Sequence, residues 1–224
     1  DEKAGDHLIL LAKNLEGYHN LCKMVSYSFT EGFYYKPRID KQLIEQYHEG
    51  LICCSACLGG EVPQAIMHND IEEAERVVQW FKNIFGEDYY LELQLHPSGD
   101  PQKDADVYEN QLRVNKVILE LAAKYGVKYI CSNDVHFILA EDAVAHDHLI
   151  CLNTGRDLDD PNRMRFESQE LYLKSEEEMR KLFLSFKASG KTMLIVSHNE
   201  GDISTLCDEV YEFDGARIKR RENV

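Results

Sequence analysis

Four short apolar runs constrain this chain more than any other feature: HLILLA at residues 7–12, LICCSACLGG at 51–60, YYLELQLH at 89–96 and VKYIC at 127–131. Between them the apolar residues recur at helical spacing. After the first run, Leu21, Met24, Val25 and Phe29 keep that spacing, and DKQLIEQYHEG reads as a helix opened by Asp40 and stopped by Gly50. Asp70 with Glu73 resembles a capping box. The helix it starts carries an apolar stripe of Ala74, Val77, Val78, Phe81 and Ile84 and ends at Gly86. The strongest helical pattern covers residues 107–125, with Val114, Val117, Ile118, Leu121 and Tyr125 on one side and Gly126 closing it. Strand and helix alternating through short connections predict an α/β fold, a parallel sheet covered by helices, open or closed into a barrel. In both forms chemistry collects at the C-terminal ends of the strands.

The later sequence differs. Residues 153–174 are polar and irregular, and SEEEMRKLFL reads as a helix with Ser175 as N-cap and Glu178 in the capping-box position. Beyond about Ser185 come a strand-like GKTMLIVSH, a short helical GDISTLC and DEVYEFDGARIK, a hairpin with a DG turn. The expected division is residues 1–184 and 185–224.

Composition narrows the function. At 224 residues and 44% hydrophobic content the chain can bury a core. Its 25 basic against 40 acidic residues give a net charge of −15, the wrong sign for an extended phosphate-binding face. Seven cysteines, an odd number without paired C-x-x-C repeats, suit a reduced, cytoplasmic chain. Nor is there an apolar run of the roughly 18 residues that a membrane-spanning helix needs.

Metal-capable side chains concentrate in CSNDVHFILAEDAVAHDHLIC, residues 131–151. Asp134 and His136 lie just past a strand, and in extended backbone their side chains share a face. They are either half of a zinc or manganese site or an Asx-type turn beside a satisfied histidine, and spacing alone does not choose. His146, Asp147 and His148 follow a helix start, so they splay apart and cannot meet on one ion. His7 at a strand end, Cys57 where LICCSA runs into glycines, and Glu92, Gln94 and His96 on the polar face of YYLELQLH are further strand-associated groups. Each also has a plain structural reading: surface histidine, small buried cysteine, solvated face. Cys53 and Cys54 read as core.

Several long motifs in one order, HLILLAKNLEGYHNLCKMVSYSFTEGFYYKPRID, YHEGLICCSACLGGEVPQAI, YYLELQLH, VKYICSNDVHFILAEDAVAHDHLICLNTGR and NRMRF, resemble the PHP (polymerase and histidinol phosphatase) domain of the bacterial DNA polymerase III alpha subunit, from about His7 to Phe183. The resemblance implies a (β/α)7 barrel with a metal cluster at one rim, a metal-dependent phosphoesterase that in some members proofreads DNA 3′ to 5′ and in others only braces the polymerase. By motif it implies His7, Cys57, Asp134 and His136 as metal ligands, with Zn2+ or Mn2+ as cofactor. The family's H-x-H strand, D-H-G motif and G-A-E strand do not occur here. The expectation is therefore a partial barrel lacking its first strands, followed by a short α/β tail, with an incomplete metal site and no efficient catalysis by this chain alone. The implied partners are the remainder of the polymerase III holoenzyme, with DNA reached only through it, and a second copy of the chain at exposed barrel edges; no membrane is implied. The tail, GKTMLIVSHNEGDISTLCDEVYEFDGARI, resembles the end of an ABC-type ATPase domain, which would place His198 against a nucleotide phosphate. FKASGKT lacks the first glycine of a P-loop, and ATP hydrolysis is not expected.

Overall fold

The computed structural model describes residues 5–98, 100, 107–179 and 181, together with the backbone of two strands, Tyr211–Asp214 and Arg217–Arg220. The chain divides after Tyr172 into two units, Asp1–Tyr172 and Leu173–Val224. The junction anticipated near Leu184 and the candidate nucleotide contact His198 both lie outside the described residues.

The first unit is built on a four-stranded sheet in the order β1 (Ile9–Ala12), β2 (Leu51–Cys54), β3 (Tyr89–Leu93), β4 (Lys128–Cys131). Strands β2, β3 and β4 run parallel, with Cys53 opposite Tyr89 and Leu93 opposite Cys131. β1 departs from the expected parallel arrangement: it pairs antiparallel to β2, Ile9 facing Cys54 and Ala12 facing Leu51. Two helices, α1 (Leu15–Thr30) and α2 (Lys41–Tyr47), separate these strands. One crossing helix delivers the chain to the far end of a sheet, whereas two in succession bring it back, so β2 begins beside the end of β1. Among the described residues the sheet is open, with β1 and β4 at its edges.

Local chemistry explains the helix limits. Asn14, Asp40 and Asp70 each accept a bond from the amide three residues on, at 2.8–2.9 Å, and so open α1, α2 and α4 (Ile71–Phe85). α3 (Glu61–Met67) was not foreseen: it follows the glycines of LICCSACLGG directly, and Pro63 in its first turn reads as a breaker unless the helix start is recognised. α5 (Tyr108–Tyr125) ends at Gly126, which is left-handed with φ 61°, and α6 (Asp142–Thr154) ends at Gly155 in the same way.

The core lies between the sheet and α3, α4 and α5: Val62, Val77, Val78, Leu91, Val114 and Ile118 are almost fully buried. Each such side chain contributes roughly 1.5–3 kcal/mol of transfer free energy. On α1 the helical spacing holds, and its apolar residues divide between two faces. Met24 is buried, whereas Val25 and Phe29 are exposed beside Tyr18, as are Ile9 and Leu11 on β1.

In the second unit Ser175 and Glu178 form the anticipated capping box: the Glu178 carboxylate accepts from the Ser175 amide at 2.8 Å, and the Glu178 amide donates to the Ser175 hydroxyl. Strands β5 (Tyr211–Asp214) and β6 (Arg217–Arg220) pair antiparallel, Asp214 opposite Arg217, which gives the expected hairpin; the two residues between the strands lie outside the described residues. Among the described residues no helix is long and apolar enough to cross a membrane.

Candidate metal centre

Parallel strands present their C-terminal ends at one rim, and the loops leaving β2 and β4 carry the candidate ligands there. His7 precedes β1, which runs opposite to β2, so antiparallel pairing brings the start of the one strand to the end of the other. Its amide donates to the Gly59 carbonyl at 2.8 Å, and its Nδ1 lies 3.4 Å from Cys57 Sγ. A Cβ on Gly59 would stand 3.1 Å from that Nδ1, so glycine is what lets the imidazole lie over the loop. Ala56, just before Cys57, is left-handed with φ 63°, and this turns the chain out of the strand line.

In the loop after β4, Asp134 Oδ2 and His136 Nε2 are 3.5 Å apart. The His136 amide donates to Leu171 O at 2.8 Å, while Asn133 Nδ2 donates to the carbonyls of Glu170 and Tyr172, which ties the loop to the segment before Leu173. Two donors bound at about 2.0–2.3 Å to one tetrahedral ion stand about 3.3–3.6 Å from each other. Both pairs, His7 with Cys57 and Asp134 with His136, therefore have the separation of ligands sharing an ion. The pairs remain distinct: among the described residues no three or more His, Cys, Asp or Glu side chains are grouped closely enough to hold one. Soft thiolate and imidazole with carboxylate suit zinc, and manganese to a lesser degree.

Burial pushes the Cys57 thiol up, opposed by backbone N–H groups of the loop and reinforced by the negative charges of Asp134 and Glu92. Cys53 and Cys54 are core, as expected, and desolvation raises the Cys54 thiol to about 11.

The polar face of YYLELQLH is not solvated. Glu92, Gln94 and His96 are all buried, because α5 and the flanking loops cover this end of β3. His96 is held at both ends by one amide: its N–H donates to Gln111 Oε1, and Gln111 Nε2 donates to its Nδ1, each at 2.8 Å. Glu92 accepts bonds from Ala56 N at 3.1 Å and from the Ser132 hydroxyl. A narrow cleft beside them is lined by Cys57, Glu92, Gln94, Gln111 and Asn115.

The cluster at 131–151 resolves into separate uses. His146, Asp147 and His148 diverge on α6 as helical geometry requires. His148 donates to Val144 O, and Asp147 receives a bidentate fork from Arg163 at 2.6 and 2.7 Å. His146 turns back onto His136, with ring centroids 5.8 Å apart, and the Phe166 ring lies tilted by 37° against His136 with centroids 4.5 Å apart. Neither His146 nor Phe166 was anticipated as a neighbour of the candidate ligands, since that contact depends on how α6 and the NRMRF loop pack.

Residues 1–96 match the family model described as PHP domain. Similar proteins include the DNA polymerase III subunit alpha of Borreliella burgdorferi, 48% identical over 181 residues, which is 81% of this chain and 15% of the relative. That of Treponema pallidum is 42% identical over 178 residues, 79% of this chain and 14% of the relative. That of Chlamydia pneumoniae is 36% identical over 231 residues, 94% of this chain and 18% of the relative. The last match leaves too few residues over to stop short of Ser185, and the likeness of the tail to an ATPase domain finds no support in these relatives. The chain spans less than a fifth of the length of each of these three relatives. Residues 1–96 therefore carry a PHP domain, and over most of its length the chain is similar to one segment of the DNA polymerase III alpha subunits.

Proposed function

We propose that this chain serves DNA replication as the PHP-domain part of a bacterial DNA polymerase III alpha subunit and holds zinc or manganese at the rim of its sheet. The observation that carries the reading is the pair of bite distances, 3.4 Å for His7 with Cys57 and 3.5 Å for Asp134 with His136, at the loops that leave β2 and β4 on one rim. A bound ion would polarise a phosphoester oxygen and lower the pKa of a water, the chemistry of a phosphoesterase or 3′ to 5′ exonuclease. The residues of this chain would supply donors in two pairs. His7 is seated by its backbone bond to Gly59, and His136 is oriented by Phe166 and by its bond to Leu171.

Hydrolysis of a phosphodiester in line needs a clamp on both the attacking and the leaving oxygen. Two separate pairs do not make that clamp, so the chain by itself is proposed to bind an ion without efficient turnover. On this reading the fold is part of a (β/α)7 barrel, the setting is the cytoplasm, and DNA is reached through the rest of the polymerase. The exposed apolar side chains Ile9 and Leu11 on β1 and Tyr18, Val25 and Phe29 on α1 would be covered by the remainder of the subunit or, in its absence, by a second copy.

The test is calorimetric titration of the purified chain with zinc and with manganese, beside assays on a generic phosphodiester and a 3′-recessed DNA. Binding that disappears in the combined Asp134→Ala, His136→Ala variant, without efficient turnover, is the expected result. A chain that takes up neither metal would instead be a bracing element.

A further inference from the structure

The two candidate pairs sit on different loops, and one buried side chain touches both loops. Glu92, on β3 between β2 and β4, is 6% exposed. One carboxylate oxygen accepts from the amide of Ala56, the residue before Cys57. The other accepts from the hydroxyl of Ser132, two residues before Asp134, and from Gln94 Nε2 at 3.5 Å. The backbone reinforces the tie: Glu92 N donates to Ser55 Oγ at 2.9 Å, Ser55 N to Tyr90 O at 3.0 Å, and Ser132 N to Leu93 O at 3.1 Å. Every group that meets this carboxylate is a donor, and an ionised carboxylate is the only side-chain end that accepts on both atoms. An uncompensated carboxylate at this depth is costly, and three converging donors offset that cost.

We propose that Glu92 is a positioning residue: it clamps the β2–α3 loop to the β4–α6 loop and thereby sets the distance between the His7–Cys57 and Asp134–His136 pairs. The proposal rests on the metal-binding reading for its consequence, but the clamp itself is a property of the metal-free chain. Loss of the clamp frees each loop separately and leaves each pair internally intact, because His7 is bonded to Gly59 and His136 to Leu171 rather than to Glu92.

Two measurements on the full chain test it. In metal-free protein, amide hydrogen exchange of Glu92→Ala should quicken about tenfold or more in both residues 55–58 and residues 132–136, while amides of α4 keep their protection. Ser132→Ala, the gentler variant, should quicken the second loop only. Zinc titration should then show affinity reduced by roughly tenfold or more in Glu92→Ala, the size of effect seen when groups that orient metal ligands are lost. The two losses should be less than additive in the Glu92→Ala, Ser132→Ala double variant. Unchanged exchange in either loop of Glu92→Ala overturns the clamp, whatever the metal result. Quickened exchange in both loops in a chain whose wild type binds no zinc would uphold the clamp and overturn the metal reading. A normal zinc affinity in Glu92→Ala, with binding still abolished by Asp134→Ala and His136→Ala together, would show that Glu92 does not set the spacing of the pairs.

Discussion

His7 and Cys57, fifty positions apart in sequence, lie with Nδ1 and Sγ 3.4 Å from each other. The approach depends on β1 running antiparallel to β2 and on Gly59, over which the imidazole lies. Gly59→Ala would set a methyl 3.1–3.3 Å from three atoms of the ring and push it off the loop. Zinc affinity should fall roughly tenfold, with the thermal midpoint nearly unchanged, since His7 is exposed. Calorimetry and a melting curve on the same sample check both halves.

Among the described glycines, Gly17 makes the tightest approach to backbone. A Cβ there would come within 1.9 Å of Gly50 O, where Lys13 N also bonds and the turn into β2 begins. Both partners are backbone, so nothing swings aside. Gly17→Ala should cost at least about 1–3 kcal/mol, the range for overpacking, visible as a lower midpoint in urea at unchanged slope.

Tyr89 has the opposite expectation. Its ring stacks on Phe81 with centroids 5.4 Å apart, but its hydroxyl is buried and has no hydrogen-bond partner among the described residues. Burial accordingly pushes its ionisation well above the ordinary tyrosine value. Tyr89→Phe keeps the stacking and removes the desolvated hydroxyl, so stability should hold or rise by about 1 kcal/mol. Denaturant unfolding at neutral pH checks the sign.

The fork from Arg163 holds the Asp147 carboxyl below its ordinary range, against a smaller opposing effect of desolvation. A depressed folded value means the unfolded chain binds this proton more readily. The contribution of the pair is therefore complete above the ordinary aspartate pKa of about 3.9 and is lost as pH falls through the lower folded value. Asp147→Asn should lower stability at pH 7, where the contribution of the pair is complete, flatten the fall on acidification in that window, and change little once the pH is below the folded value. Arg163→Lys should act in the same direction, because a lysine cannot make the planar two-bond fork. Unfolding curves between neutral and acid pH decide it.

The sequence and the structure agree where the signal is local. Asp40, Asp70 and the Ser175–Glu178 box are caps that a reader can place from spacing, and Val77, Val78, Val114 and Ile118 are buried as their periodicity requires. What depends on counting crossings was not legible. Two helices between β1 and β2 reverse the first strand, and that reversal is what sets His7 beside Cys57. Alternation in YYLELQLH left a solvated face as the plain reading of Glu92, because period two reports which residues share a face and not what covers it. The same limit hid His146 and Phe166. Divergence of His146, Asp147 and His148 followed from helical geometry alone, but their separate partners arise from packing of the loop that carries Arg163 and Phe166.

Cobalt(II) titration of the full chain, read by thiolate-to-metal charge-transfer absorption, tests the central claim most directly, because that band requires a cysteine sulfur in the coordination shell. The account predicts a band in the wild-type chain that is absent in Cys57→Ser, weakened in His7→Ala, and displaced by zinc. A wild-type chain without the band, or a band that survives Cys57→Ser, would contradict it.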